Sequence, residues 1–136
     1  MNLRNSLDSV PSWVPATGHA LRHAGVYFDA VRVPGVIGQD VMYRLLSFTD
    51  FPGGPIIREC TRERSLYFLL PPGGSAGRVW PAPARALGRD GKGSAFVGIP
   101  AVDGLTWPLK WQSLPTDEHP FVDGELLHEK LVRALR

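Results

Sequence analysis

The sequence predicts an α+β fold: a mixed, mainly antiparallel sheet of about five strands with helices packed on it. Three observations carry this expectation. Runs rich in β-branched and aromatic residues recur around 25–33, 56–60, 65–70, 95–101 and 109–112. Two other stretches, 35–48 and 124–136, repeat their apolar residues every three or four positions, the period of a half-buried helix. The order is strand, helix, four strands, helix, so the helices are segregated, as in α+β proteins, and do not alternate with strands as in parallel α/β ones. At 136 residues the chain suits one domain with its own core.

Residues 1–18 are polar, with prolines at Pro11 and Pro15, and read as a loose N-terminal arm that can dock Trp13 on the body. Residues 19–136 form the single α+β domain. Val26, Phe28, Val31 and Val33 predict a first strand over about 25–33. Pro34 suits the first turn of a helix. Val36, Ile37, Val41, Leu45 and Leu46 continue it as an amphipathic stripe, with Gly35 and Gly38 weakening its beginning. "DFPGGP" is a turn on composition. "IIREC" and "SLYFLLPP" read as a hairpin pair. The second is apolar on both faces, Leu66, Phe68 and Leu70 against Tyr67 and Leu69, which predicts a central strand covered on each side. Pro71 and Pro72 end it. Residues 73–92 are rich in Gly, Pro, Ala and Arg, with a short helix expected at about 83–87. "GSAFVGIPA" predicts a strand in which Gly98 marks a bulge or a close backbone approach. A short edge strand follows at about 109–112. Asp123 is the N-cap candidate of the last helix, whose stripe is Leu127, Leu131 and Leu135 with Val132.

Composition narrows the function classes. Fifteen Lys plus Arg against thirteen Asp plus Glu leaves a net charge of +2, weak evidence for a polyanionic partner. The lone Cys60 rules out an intramolecular disulfide and a cysteine-based zinc site. The N-terminal stretch has no apolar core of a signal peptide, and no apolar run approaches the length of a membrane span, so a cytoplasmic protein without membrane contact is expected.

No self-sufficient catalytic motif is present. His19 and His23 have the spacing of two ligands on one helical face, but Ala20 stands where a zinc protease has Glu. There is no G-x-S-x-G elbow. Cys60, flanked two residues away by Arg58 and Arg62, reads as a structural thiol, or as one with a lowered pKa. "GRDGKGS", with Arg89 and Lys92, offers backbone N–H groups for an anion nest, or simply a hairpin turn with solvated charges. From 58 to 92, seven basic residues stand against three acidic ones, interleaved with Tyr67, Phe68 and Trp80, a pattern compatible with phosphate contact and base stacking. Trp13, Trp80, Trp107 and Trp111 are the aromatic candidates for packing or for a protein interface.

Three stretches carry a resemblance. "GVYFDAVRVPG", "SLYFLLPPG" and "GRDGKGSAFVGIPAVDGLTWPLKW" follow one another as in a small version of the archaeo-eukaryotic primase fold. More narrowly, the chain resembles the bifunctional DNA primase/polymerase N-terminal family, including its short actinobacterial forms. The resemblance implies a reduced primase-polymerase-like core. In that family carboxylates hold the metal ions of phosphoryl transfer, and a strand histidine contacts the nucleotide phosphate. Here the first acidic motif keeps only Asp29, with Val31 where the second acid belongs. Ser65 takes the place of the histidine, and the third acid falls near Arg89 or Asp90. Asp29, Ser65 and Asp90 are therefore remnants, and no catalytic or metal-binding residue is expected.

The expected function is a non-catalytic nucleic-acid- or nucleotide-binding module, without cofactor. Arg58, Arg62, Arg64, Arg89 and Lys92 would contact phosphates of single-stranded or duplex DNA or of a nucleotide. The alternative is a regulatory adaptor that binds a protein through Trp80, Trp107 or Trp111. A second alternative is a residual nucleotidyl-transfer enzyme that uses Mg²⁺ through Asp29 and Asp90.

Overall fold

A computed structural model describes residues 10–49, 53–61, 63–89 and 95–136. Its elements run β1 (His19–His23), β2 (Asp29–Val33), α1 (Gly35–Phe48), β3 (Ile56–Glu59), β4 (Leu66–Leu70), β5 (Arg85–Leu87), β6 (Phe96–Pro100), β7 (Leu109–Ser113) and α2 (Gly124–Ala134). Five strands form one sheet in the order β5-β2-β4-β3-β7, and β1 pairs with β6 in a second, two-stranded sheet. All described pairings are antiparallel. The fold is α+β with a mainly antiparallel sheet.

The two faces of β4 explain the layers. Leu66, Phe68 and Leu70 join Val31, Val33 and Ile56 in a core against α1 and α2, through Val41, Leu45, Leu127 and Leu131. Leu69 faces the other way and meets Ala30, Ile57, Val97, Ile99 and the indole of Trp13. Alternation along one strand thus builds two cores, one under the helices and one under the β1–β6 pair. Trp13 sits edge-on to Phe28, with ring centroids 5.1 Å apart. Residues 10–18 are tied to the body by this ring, and by Arg22 Nε, which donates to Trp13 O at 2.9 Å.

Local rules set the boundaries. Gly25 lies at φ +91°, and its N–H donates to Phe28 O, which turns the chain between β1 and β2. The expected strand at 25–33 is therefore shortened to β2 at 29–33, because residues 24–28 form the turn, and an additional strand, β1, precedes that turn at 19–23. The expected helix at 83–87 is instead the edge strand β5, because Arg85–Leu87 pairs with β2 after a proline-rich approach. Gly38 allows α1 to leave β2 closely, since a Cβ there would lie 2.6 Å from Val33 O. Gly98 marks a close approach, as its Cβ would meet Leu109 Cδ1 at 2.7 Å. The β3–β7 register slips by one residue between Ile56 and Ile57, leaving Gln112 as the extra residue of a bulge. Asp123 caps α2, its Oδ1 accepting from the N–H groups of Glu125 and Leu126 at 3.0 and 3.2 Å.

Candidate phosphate cleft and the buried carboxylate

Asp29 opens β2, on the face shared with Val31 and Val33, and is only 1% exposed. Its Oδ1 accepts from Gly73 N at 3.0 Å, and its Oδ2 accepts from Ser75 N at 3.0 Å and Ser75 Oγ at 2.6 Å. A Cβ at Gly88 would come 2.9 Å from Oδ2, so a glycine there leaves room for the carboxylate. The bond series continues outward. Trp80 Nε1 donates to Ser75 O at 2.9 Å, the Trp80 ring sits edge-on to His128 of α2, and His128 Nε2 is 2.8 Å from Val79 O. Asp29 thus braces the turn after β4 to the sheet, and the turn to α2. Both of its oxygens are engaged by the protein, which leaves little of the carboxylate for a metal or a substrate hydroxyl. Asp90, its expected companion, lies outside the described residues. Among the described residues no three His, Cys, Asp or Glu side chains are grouped as metal ligands.

Arg58 and Arg64 do come together. Arg58 shares the helix-side face of β3 with Ile56, and Arg64 follows the turn after that strand at φ +55°, in the left-handed region. Both line one cleft with Gly35, Gln39, Met42, Leu66 and Gln112. The cleft encloses about 10 Å³, roughly the room of one water or one phosphate oxygen, so a ligand would sit at its mouth. The start of α1 opens onto it. Pro34 provides no side-chain cap, and the first turn carries no acid. The first N–H groups and the positive end of the helix dipole therefore add to the guanidinium charge. Lys110 of β7 stands opposite Arg58. Among the described residues no carboxylate lies within ion-pair distance of Arg58, Arg64 or Lys110.

Arg89 is elsewhere. It packs beside Gly25, at the Asp29 end of the sheet, whereas Arg58 pairs with Leu66 at the Val33 end. Four strand steps separate these ends, about 13 Å at 3.3 Å per residue. Arg62 and Lys92 lie outside the described residues. Of the five expected phosphate contacts, the three described residues thus form one pair, Arg58 with Arg64, and one distant arginine.

Ser65 is fully buried, and its Oγ has no hydrogen-bond partner. By strand alternation it shares the Tyr67 face and points away from the cleft. Tyr67 is held above the ordinary phenol range by burial and by Glu59, with Arg32 pulling the other way. Burial would lower the Arg32 guanidinium, but Tyr67, Glu63 and Glu59 together raise it. Arg32 also pairs with Glu63 at 3.2 Å. These charges are spent on one another.

The tryptophans divide by burial. Trp13 is in the core, Trp80 is half-buried and bonded to Ser75, and Trp111 is half-buried with its Nε1 donating to Pro100 O at 2.9 Å. Trp107 is 69% exposed. Sequence reasoning missed Gln39, Gln112 and the α1 terminus as cleft residues. A helix beginning at Pro34-Gly35 without Ser, Thr, Asp or Asn before it was the signal that could have found the last. No helix of the described residues is long and apolar enough to cross a membrane. No family model matches the chain, and neither curated proteins nor solved structures give a significant match.

Proposed function

We propose that this chain is a non-catalytic module that binds nucleic acid or a nucleotide through its phosphates, at the cleft formed by Arg58, Arg64 and the start of α1. One observation carries the reading. Two arginines from either side of a turn meet at an uncapped helix N-terminus, with no carboxylate within ion-pair distance of either among the described residues. Arginine offers a planar fork of donors that matches phosphate oxygens, and the helix end favours the same charge. The engagement of both Asp29 oxygens supports a binding role over phosphoryl transfer.

Fluorescence anisotropy with labelled single-stranded DNA, duplex DNA and a nucleoside triphosphate tests this reading. The titrations run at two salt concentrations, with and without Mg²⁺. Two phosphate contacts on a single strand predict log K falling with log salt at a slope of about −1.4. The double substitution Arg58→Ala, Arg64→Ala removes that binding, while Arg89→Ala leaves it. Binding that ignores salt, or that survives the double substitution, contradicts the reading.

A further inference from the structure

We propose that the groove beside Trp107 is the interface of a symmetric dimer of this chain. The connection from β6 to β7 carries two large apolar side chains into solvent, Leu105 at 95% and Trp107 at 69% exposure. Beside them runs an open groove of about 590 Å³ whose lining includes Cys60, Val102, Leu105, Trp107 and Lys110. That volume falls within the range of sites that take a small organic ligand, so it accommodates an indole.

Knob and hole therefore belong to the same patch. Charge does too. Asp103 is exposed on this connection and Lys110 is exposed at the groove. Neither makes an ion pair among the described residues. Lys110 also faces Arg58 across the β3–β7 ladder, a like-charge pairing that an outside acid relieves.

A surface that holds a protrusion and a recess, an acid and a base, is complementary to its own copy. In a two-fold pair each Trp107 enters the groove of the other chain, and each Asp103 meets the Lys110 of the other chain. A head-to-tail contact would need two separate patches. Taking roughly 200 Å² for a large exposed side chain, Leu105 and Trp107 bury about 350 Å² per copy. Even with the polar rim this falls short of the roughly 800 Å² per partner of a standard interface. The dimer is accordingly weak, with micromolar or weaker affinity.

Analytical ultracentrifugation of the full chain, from low micromolar to millimolar concentration, reads this out. The expected result is a monomer–dimer equilibrium that Trp107→Ala weakens at least tenfold. Asp103→Lys and Lys110→Glu each weaken it, and the two together restore it. Cys60 is the sole cysteine and lines the groove, so a short bismaleimide should link two copies in the wild type and not in Trp107→Ala. Circular dichroism of each variant confirms that it is folded. A strict monomer throughout the range overturns the proposal and leaves the patch to a different partner. A dimer indifferent to Trp107→Ala and to the charge swap overturns it as well.

Discussion

At the scale of the residue, Asp29 decides between an enzyme remnant and a structural brace. An acid on a strand was legible in the sequence, but its employment was not. Its partners Gly73 and Ser75 stand more than forty positions away, in a turn whose return to β2 no local pattern encodes. Asp29→Asn puts an amide donor against groups that are themselves donors. We expect it to destabilise the fold by about 2–4 kcal/mol, read by urea unfolding, because buried donors lose their acceptor. Phosphate binding by the molecules that remain folded should be unchanged. Tyr67 gives a second residue-scale test. Its phenol is held neutral by burial and by Glu59, so its folded pKa lies above the ordinary 10.0. Its contribution is complete below pH about 10 and is lost as pH rises from there through the raised folded value. The urea midpoint should therefore fall above pH about 10, and fall less steeply in Tyr67→Phe.

At the scale of the element, legibility followed the strength of the local pattern. The two-sided apolar run of β4 and the Asp123 cap are properties of short windows and read correctly. So do Val41, Leu45, Leu127 and Leu131 of the helix stripes, whereas Val36 is 87% exposed and Leu135 lies past the end of α2, outside the core. The strand β1, with the sequence HALRH, has no such pattern. It forms because Ala20 and Arg22 stand opposite Ile99 and Val97 of β6, a pairing of distant segments. The strand β5 has only three residues after two prolines, and the edge of β2 gives it its conformation. Gly38 shows the same principle within a helix. On propensity alone, Gly38→Ala should gain about 1 kcal/mol. The Cβ would instead press on Val33 O and C, at 2.6 and 3.3 Å. We expect a net loss of about 1–3 kcal/mol as the strand–helix junction shifts, again by urea unfolding. A stabilised variant would show that the junction yields more easily than its geometry suggests.

At the scale of the whole molecule, the sheet separates three tasks. One face, with the helices, holds the larger core, and the other, under β1 and β6, holds the second. The Asp29 end is braced by hydrogen bonds, while the Val33 end gathers Arg58 and Arg64 at the start of α1. The basic excess between 58 and 92 was legible as composition. Its division between two ends of a sheet was not, because alternation and pairing place residues that composition only counts. The most direct measurement is a ¹⁵N–¹H titration of the labelled protein with a short single-stranded oligonucleotide. Amide shifts should concentrate on residues 35–39, Arg58, Arg64 and Gln112, and should shrink as salt is raised. Shifts confined to the Asp29–Arg89 end, or none at oligonucleotide excess, would contradict the phosphate cleft.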